Sequence, residues 1–365
     1  MNILHISTAH TWRGGEQQIA YLINELRQLP NLNQQVICTR GSAMHHYCKK
    51  QGIDHIAQTK AFTFNPFFAH KIKQVCKQNH IDIIHAHDPH AHQFAVIAAD
   101  VFANPTPIVV SRRVDFAIRN SRYTLHKYNH RQVKKIICVS KAIEEIVAQS
   151  IDDKTKLCTV YSGIDVSRFN QVATNSLKKQ YNIPANALLI GNVAALAPHK
   201  DYFTFIDTAQ LILDAGINAY FFAIGEGELH QQLHTYSQQK GIADRVIFTG
   251  FRNDVPAILP QLNVFLITST TEGLGTSILD AFVCRVPVVA TAAGGIPELI
   301  QHQQTGLLAN VKNAKALANA VVSLLNDAHL QQQLIDNAAI FVQQFTKAAT
   351  AKHTLNIYQQ VLNNN

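Results

Sequence analysis

Short apolar segments alternate with amphipathic segments along almost the whole chain, and this alternation is the feature that most restricts the fold. The apolar segments are continuous runs, such as Ile3–Ser7 and Val264–Thr268, rather than runs in which every second residue is polar. Continuous apolar strands that alternate with helices are typical of a parallel sheet covered on both faces. Each half of the 365 residues has its own series, so we predict an α/β protein with two doubly wound, Rossmann-like domains.

A polar segment at residues 162–181 separates the two series. We predict a first domain at residues 1–165, a second domain at residues 166–347 and a final helix at residues 348–365. Open parallel sheets bind ligands beyond the carboxyl ends of their strands, so two facing domains predict a ligand cleft between them. The predicted strands are Ile3–Ser7, Gln35–Thr39, Ile81–His85, Ile108–Ser111, Lys135–Val139, Lys156–Val160, Leu188–Val193, Ala219–Ile224, Val246–Thr249, Val264–Thr268, Val288–Thr291 and Gly306–Leu308.

Positive charge is concentrated in the first half of the chain. Residues 1–163 carry 20 Lys and Arg against 11 Asp and Glu, whereas the remaining residues carry 12 against 13. This excess predicts either an anionic partner, such as a membrane surface or a phosphorylated glycolipid, or simply a basic surface. Nucleic acid is a poor candidate, because the basic residues are not interleaved with aromatic ones and no nucleic-acid-binding module is visible.

The N-terminus and the cysteines indicate a cytoplasmic protein. The chain enters an apolar strand at once, without a basic and apolar leader, and no apolar run reaches the roughly 18–20 residues that span a bilayer. The six cysteines show no C-x-x-C spacing, which is typical of buried thiols in a reducing compartment. We therefore expect a cytoplasmic protein that works in solution or at the cytoplasmic face of the inner membrane.

Two strand–loop–helix segments, one in each half, predict phosphate binding. Gly14 and Gly15 open the first helical run, and Gly275 and Thr276 precede a helix predicted over Ser277–Val283. Backbone N–H groups at a helix N-terminus bind anions. One such loop is weak evidence, but a loop in each domain predicts a diphosphate held by both.

Two carboxylates flank the second of these loops. Glu272 enters the loop, and Asp280 follows about one helical turn after the helix begins. Like charges repel, so these groups suit hydroxyls rather than phosphate, and the pattern predicts a phosphate with polyols on both sides, as in a nucleotide sugar. The alternative is that Glu272 is an ordinary loop acid and Asp280 a solvated helix acid.

Three further loops of the second half follow predicted strands. Lys200 lies in a strand–helix loop, where an ammonium group would stabilise a leaving diphosphate, although a surface lysine is the commoner case. Gly225, which we predict to line the ribose or base site, belongs to a G-x-G that lacks the third glycine of the dinucleotide fingerprint. Phe251 and Arg252 lie in a turn that either edges a nucleobase pocket or is only a turn.

The segment from His85 to His92 contains four histidines and Asp88. His85 and His87 share one face of an extended segment, which permits metal ligation. Nineteen histidines in the chain make some clustering expected, and no second H-x-H with a supporting acid completes a ligand shell. We therefore predict no metal at this segment, and one or two of these histidines lining the cleft as hydrogen-bonding or acid/base groups.

Taken together, these segments resemble glycosyltransferase family 4, whose members are retaining enzymes of the GT-B fold. The resemblance covers nearly the whole chain, and it rests on the order and spacing of motifs that are individually weak. They are Gly14-Gly15-Glu16, Asp82-Ile-Ile-His85-Ala-His87, Val139-Ser140, Tyr161-Ser162-Gly163-Ile164-Asp165 with Phe169, Leu196 with Lys200, Gly225-x-Gly227, Val246-x-Phe248-x-Gly250, Glu272-Gly273 with Asp280, and Gly294-Gly295-Ile296-Pro297-Glu298.

The resemblance implies a nucleotide-diphosphate-sugar donor held mainly by the second domain, an acceptor held by the first, and no metal or other cofactor. It implies that Gly14 and Gly15 offer amides to the donor phosphate, that Lys200 neutralises the diphosphate and that Glu272 contacts the transferred sugar. It also assigns the ribose to the position of Asp280. The final helix is expected to cross back onto the first domain.

The sequence departs from the family pattern at three places. The arginine that the family has before the lysine is Ala195 here, and we hypothesise that Arg112 or Arg113 replaces it as a phosphate cation. The usual second glutamate is Asp280, which is one methylene shorter. The family histidine near the end of the strand Ile108–Ser111 is absent, and its role either has moved to His87 or does not exist.

We predict a glycosyltransferase that acts on a glycan or glycolipid acceptor, as in lipopolysaccharide core or surface polysaccharide biosynthesis. Basic and aromatic residues around Lys60–Lys77 form either a membrane-touching patch or part of the core; the aromatic ones are Phe62, Phe64, Phe67 and Phe68. Two other functions remain open from the residues alone. One is a metal-dependent hydrolase that uses the histidine segment, and the other is a nucleotide-sugar binder without catalytic activity.

Overall fold

The computed structural model describes residues 1–60, 64–169 and 176–363, and the chain forms two compact units. The first unit comprises Met1–Gly163 and the C-terminal helix from Lys347, and the second comprises Ile164–Thr346. The predicted limits at residues 165 and 348 differ from these by one or two positions. The assignment of acceptor and donor to separate domains stays a prediction.

The first unit contains a seven-stranded sheet in the order β3-β2-β1-β4-β5-β6-β7, in which every pair of neighbours is parallel. Its strands are β1 Asn2–Ser7, β2 Asn33–Thr39, β3 His55–Gln58, β4 Ile83–Ala86, β5 Ile108–Arg112, β6 Val133–Cys138 and β7 Leu157–Thr159. Its helices are α1 Gly14–Leu26, α2 Ala43–Gln51, α3 Pro66–Gln78, α4 Pro89–Phe102, α5 Arg122–Asn129, α6 Lys141–Ala148 and, after the second unit, α15 Lys347–Asn363.

The second unit contains a six-stranded, parallel sheet in the order β10-β9-β8-β11-β12-β13. Its strands are β8 Leu188–Val193, β9 Ala219–Ile224, β10 Val246–Gly250, β11 Val264–Ile267, β12 Val288–Thr291 and β13 Leu307–Ala309. Its helices are α7 Leu177–Gln180, α8 Tyr202–Asp214, α9 His230–Gln239, α10 Val255–Ile258, α11 Thr276–Val283, α12 Ile296–Leu299, α13 Ala314–Asn326 and α14 Ala328–Phe341.

Continuous apolar strands build the core of each unit. In the first unit, Ile3 of β1 pairs with Ile83 of β4, and both belong with Val109 of β5 to one cluster in which all three are fully buried. Helix α15 joins this core through residues such as Tyr358, which is also fully buried. Burying an apolar side chain of this size contributes roughly 1.5–3 kcal/mol, so α15 is an integral part of the first unit although it follows the second in sequence.

The structure confirms the predicted fold class, with two Rossmann-like parallel sheets. One strand, β3, is absent from the prediction because its four residues, His55–Gln58, are all half-buried at the sheet edge and include only two apolar residues, Ile56 and Ala57. In the part of the chain that the structure describes, no helix combines the length and the apolarity needed to cross a bilayer.

Candidate active site

The strand order of the second sheet reverses between β8 and β11, which lie side by side. The loop after β8 carries Lys200, and the loop after β11 carries Glu272. At such a reversal the two loops leave the sheet edge in opposite directions and open a crevice at the carboxyl ends of the strands. The topology therefore brings together two predicted site residues that are 72 positions apart.

Lys200 and Glu272 form an ion pair in which the Lys200 ammonium donates to Glu272 Oε1. Their side chains are 16% and 12% exposed, so water screens the pair only partly. Ser269 Oγ donates to the same carboxylate oxygen at 3.0 Å. Without a ligand, the carboxylate neutralises the ammonium, and a bound diphosphate would have to share Lys200 with Glu272 or replace Glu272 as its partner.

Hydrogen bonds to backbone carbonyls join the loop after β8 to the loop after β11. The Thr270 N–H donates to the His199 carbonyl at 2.9 Å. The Thr268 hydroxyl donates to the carbonyls of Lys200 at 3.1 Å and Asp201 at 2.9 Å. These bonds hold the backbone beside both members of the ion pair. The two loops therefore keep a fixed position relative to each other at the sheet edge.

Gly294 packs directly against the backbone of Glu272. A Cβ atom at Gly294 would lie 2.1 Å from the Glu272 carbonyl oxygen, and its φ of +52° is in the left-handed region. The next residue, Gly295, donates its N–H to the same oxygen at 2.9 Å. A glycine at position 294 is thus required for the Glu272 backbone to keep this position, a role that the sequence pattern alone does not reveal.

Gly225 and Gly227 pack against the loop that leads to Lys200. A Cβ atom at Gly225, whose φ is +146°, would lie 2.1 Å from the Ala194 carbonyl oxygen, and one at Gly227 would lie 2.3 Å from that of Leu196. Close backbone approach therefore explains both glycines without a bound nucleotide. The base- or ribose-binding role of Gly225 stays a prediction.

Helix α11 begins at the carboxyl edge of the same sheet. Its N-cap is Gly275, with φ +87° and no side chain to accept from the first turn. The first-turn residues include Thr276 and Ser277, and backbone N–H groups at such a start are available to an anion. The geometry suits the predicted phosphate contact, which stays a prediction.

Asp280 lies one turn into α11, and burial raises the pKa of its carboxyl to about 7, with Arg168 acting in the opposite direction. This carboxyl therefore exchanges its proton near neutral pH, in contrast to an ordinary surface aspartate. An ionised carboxylate accepts hydrogen bonds from sugar hydroxyls, whereas the protonated form loses part of that capacity.

Phe251 and Arg252 follow β10. The Phe251 side chain is 67% exposed. Arg252 is paired with Asp254, with Nη2 2.6 Å and Nε 2.8 Å from the two carboxylate oxygens, and these bonds raise the pKa of Arg252. A nucleobase would find an exposed ring next to an arginine that is already neutralised, and the predicted base contact stays a prediction.

The first sheet also reverses its order, between β1 and β4. The segment after β1 leads to α1, which begins at Gly14, and the Glu16 carboxylate accepts from the Arg13 N–H at 2.9 Å at this helix start. A Cβ atom at Gly14 would meet nothing within 4 Å, and one at Gly15 would meet only Arg113 Cδ at 3.9 Å. Packing therefore does not explain Gly14, and its predicted phosphate contact stays open.

His5, His85 and His87 form a buried cluster in the first unit. His5 pairs with His87 at 2.9 Å and with Gln34 at 3.0 Å. His85 bonds to the Tyr358 hydroxyl at 2.5 Å and to Ser111 Oγ at 2.8 Å. Burial lowers the pKa of all three imidazoles, that of His5 to about 4, so the cluster is neutral at physiological pH.

These contacts weaken the metal-site interpretation of the histidine segment. Both ring nitrogens of His5 and His85 are already bonded to protein groups, and those of His87 face His5 and Arg113. A cation would need to displace these partners beside a guanidinium, whose charge repels it. The same contacts leave His87 no free nitrogen for a substrate proton, and its predicted acid/base role remains a prediction without geometric support.

A second group, Asp100, His126 and His130, also gathers ligand atoms, but its hydrogen bonds argue against a metal. His126 Nε2 and His130 Nε2 lie 2.9 Å and 3.0 Å from the two oxygens of Asp100. The Gln132 N–H donates to His130 Nδ1 at 3.1 Å, which leaves the proton of the neutral ring on Nε2. That tautomer donates to Asp100 and cannot ligate through Nε2.

Arg112 is the last residue of β5, which lies next to β4, and Arg113 follows it. The Arg112 guanidinium is buried, with Nη1 donating to the Tyr128 hydroxyl at 3.2 Å and Nη2 to the Phe116 carbonyl. Arg113 Nη1 donates to the His87 carbonyl at 3.0 Å, and burial lowers the pKa of Arg113 to about 10. Their predicted role as donor-phosphate cations stays a prediction, and Arg112 already has protein acceptors for both terminal nitrogens.

Only part of the predicted aromatic patch near α3 is exposed in the structure. Phe64 and Phe67 are 57% and 79% exposed, whereas Phe68 is fully buried and stacks on Phe94 with ring centroids 4.6 Å apart. Including Phe68 in the patch was wrong, because its position on α3 faces the core. Phe62 lies outside the described residues.

Two parallel-sheet units of this topology define the GT-B class of glycosyltransferases. The model for "Glycosyltransferase Family 4" matches residues 12–168, and the model for "Glycosyl transferases group 1" matches residues 174–341. The chain therefore belongs to the family 4 glycosyltransferases. This confirms the predicted family and a sugar-transferring enzyme.

Relatives and solved structures agree with this assignment. The chain is 25% identical over 316 residues to N-acetyl-alpha-D-glucosaminyl L-malate synthase of Bacillus anthracis, covering 84% of this chain and 83% of that protein. It is 26% identical over 322 residues to N,N'-diacetylbacillosaminyl-diphospho-undecaprenol alpha-1,3-N-acetylgalactosaminyltransferase of Campylobacter jejuni, covering 83% and 84%. Anabaena HepE, solved in complex with UDP and glucose, has the same fold, with a TM-score of 0.86 at 22% identity over 99% of this chain and 100% of that chain.

Proposed function

We propose that this enzyme transfers a sugar, with retention, from a nucleoside diphosphate sugar bound by the second unit to an anionic glycan or glycolipid acceptor bound by the first. The observation that carries the donor assignment is the Lys200–Glu272 ion pair beside the uncapped start of α11. One cation, one carboxylate and free amides at a single sheet edge provide complementary partners for a diphosphate and the hydroxyls beside it.

In the proposed reaction, the amides of α11 and the Lys200 ammonium stabilise the charge that develops on the leaving diphosphate. Before this step, when the donor binds, Lys200 exchanges the Glu272 carboxylate for phosphate. Glu272 is then available to accept a hydrogen bond from a hydroxyl of the transferred sugar. In a retaining transfer, the leaving phosphate oxygen can take the proton of the acceptor hydroxyl on the face where the new bond forms. Because the protein groups supply the positive charge and the leaving group takes the proton, the proposal requires neither a metal nor a protein nucleophile.

The proposed acceptor carries an anionic group. The names of the two relatives specify acceptors of this kind, L-malate in one and a diphospho-undecaprenol-linked sugar in the other. The positive charge of this chain is concentrated in residues 1–163. An acceptor of lipopolysaccharide core or surface polysaccharide synthesis, bearing phosphate, would be attracted to such a unit.

Donor binding is expected to depend on pH through Asp280. Its pKa of about 7 means that raising the pH from 6 to 8 ionises the carboxylate, and a ribose hydroxyl binds the ionised form better. Affinity for a nucleotide sugar should therefore rise over this range, by less than about tenfold per pH unit, and should be flat in Asp280→Asn. Titration calorimetry with UDP-, GDP- and ADP-sugars would measure this, since their phosphates do not titrate in the range. No binding of any of the three would reject the proposed function.

We also propose that α3 touches an anionic membrane surface. Phe64 and Phe67 are exposed apolar side chains, and Lys71 and Lys77 lie on the same helix as Phe67. The double variant Phe64→Ser/Phe67→Ser should sediment with anionic vesicles several-fold less than the unaltered chain, because it lacks the apolar contacts. Ile340, 76% exposed in the second unit, provides the matched control: Ile340→Ser should leave sedimentation unchanged. Equal losses in both variants would contradict the proposal.

A further inference from the structure

Several cations of the first unit lie near the carboxyl ends of β4 and β5 without a carboxylate partner. Lys127 on α5 is 7% exposed, and Arg112 at the end of β5 is 8% exposed. Neither forms an ion pair with any residue that the structure describes. A buried charge without a partner is costly unless something compensates it. The pair is therefore suited to binding an anion that is not part of the chain.

Lys127 has unused donors. Its ammonium group carries three N–H bonds, and one of them points to the Pro89 carbonyl at 3.3 Å. The same nitrogen lies 5.2 Å from the centre of the Tyr128 ring. Burial, reinforced by Arg112, lowers the pKa of Lys127 to about 8, so the group is still largely charged at neutral pH.

Arg112 approaches the same ring, with Cζ 5.9 Å from its centre. Its terminal nitrogens are bonded to Tyr128 and Phe116, but its Nε is buried and has no partner. Nδ1 of His90, the residue after the Pro89 carbonyl that Lys127 contacts, is also buried without a partner. Lys127, Arg112 and His90 thus leave unfilled hydrogen-bonding capacity around Tyr128 and the start of α4.

The Asp88 carboxylate acts on Lys127 but does not satisfy it with a hydrogen bond. Asp88 accepts from the Thr8 N–H at 2.5 Å, the Thr8 hydroxyl at 2.6 Å, and the N–H groups of His90 at 3.1 Å and Ala91 at 2.9 Å. Its oxygens are therefore committed to capping α4 and to joining β1 to β4. Its field also reaches Lys60, and together with Glu16 it reaches Arg113, so the cations of this region outnumber the two carboxylates that act on them.

We propose that Lys127 and Arg112 form the subsite for the anionic group of the acceptor, and that this group is a phosphate or diphosphate ester. The inference rests on the proposed function, because it assigns the acceptor to the first unit. Phosphate is favoured over carboxylate by charge: Lys127 and Arg112 are two cations without an ion-pair partner, and a phosphate or diphosphate ester carries more negative charge than a single carboxylate. A tetrahedral phosphate can accept single N–H bonds from Lys127 and from Arg112 Nε.

The test is calorimetric titration of the full chain with inorganic pyrophosphate, with the donor site filled by saturating nucleoside diphosphate. Lys127→Met should raise the dissociation constant at least tenfold, and Lys127→Arg should restore most of the affinity. Lys73→Met is the matched control, because Lys73 in the same unit also donates to a backbone carbonyl, that of Ala103 at 3.1 Å, but at the surface. Equal affinities of Lys127→Met and Lys73→Met would overturn the subsite.

Two further measurements separate the possible causes of a loss. The melting temperature of Lys127→Met should equal or exceed that of the unaltered chain, because an apolar side chain replaces a buried charge; a large fall would attribute the loss to misfolding, and Lys127→Arg against the unaltered chain would then decide. Repeating the titration with a soluble sugar phosphate and with vesicles that carry a polyprenyl diphosphate distinguishes a free ester from a lipid headgroup. Pyrophosphate binding that depends on Lys127, together with no binding of UDP-, GDP- or ADP-sugars by the unaltered chain, would retain the subsite and reject the function.

Discussion

Replacing Lys200 with alanine should lower turnover by about 10²–10³-fold, the usual effect of removing one preorganised donor from a developing negative charge. Lys200 is the cation that the structure places at the reversal point of the second sheet, and Ala195 occupies the position where the family has an arginine. No neighbouring cation in that loop can therefore take over its charge. Steady-state kinetics with saturating nucleotide sugar would measure the loss directly.

Removing Lys200 also leaves the Glu272 carboxylate largely buried without its cation, so the expected kinetic loss must be separated from instability. The double variant Lys200→Met/Glu272→Gln removes both charges and should recover stability relative to Lys200→Ala, while turnover stays low. Lys240 offers a control, because it forms an ion pair with Asp207 at 2.6 Å on the surface of the same unit. Lys200→Ala and Lys240→Ala with similar turnover would reject the role of Lys200.

The sequence was sufficient to predict the strands whose residues are mostly apolar. β8, β9 and β12 have the predicted bounds, Leu188–Val193, Ala219–Ile224 and Val288–Thr291. Most of their residues are buried in a sheet whose pairs are all parallel, so the strands read as nearly continuous apolar runs, with Asn192 and Thr291 as buried polar exceptions. This pattern does not predict strand β3, because a half-buried edge strand requires no continuous apolar run.

Contacts between distant segments could not be predicted, because they depend on strand order and register. Lys200 and Glu272 were each predicted as site residues, but their ion pair follows only from the adjacency of β8 and β11. Likewise, the H-x-H spacing predicted that His85 and His87 share a face. The parallel register that sets His5 opposite His85 adds a third imidazole, and the three rings form a hydrogen-bonded cluster.

The sequence also does not predict which of the charged side chains are buried. Lys127 is one of many basic residues in the sequence, yet α5 packs so that its side chain is buried. Arg112 belongs to β5, and the structure adds that its guanidinium bonds to Tyr128 and Phe116; its role as a donor-phosphate cation stays a prediction. In both cases the direction of the side chain depends on packing that the local sequence does not contain.

Replacing Gly294 with alanine should reduce turnover by about 10–10²-fold, since a displacement on the order of 1 Å in a positioned catalytic group is enough for such a loss. The added Cβ would lie 2.1 Å from the Glu272 carbonyl oxygen, so either the Glu272 backbone or the glycine turn must move. That movement also strains the bond from the Gly295 N–H to the same oxygen. Glu272 would then meet both the sugar and Lys200 from a shifted position.

Gly216 separates this steric effect from backbone strain. It also has a left-handed φ, of +81°, but a Cβ there would meet nothing within 4 Å. Gly216→Ala and Gly294→Ala should both lower the free energy of unfolding, by about 1 kcal/mol from the left-handed conformation, while only Gly294→Ala loses turnover. Denaturant unfolding and kinetics on the same preparations measure both quantities. If Gly294→Ala turned over as fast as Gly216→Ala, the backbone of Glu272 would not control the position of its carboxylate, and the contact would serve stability alone.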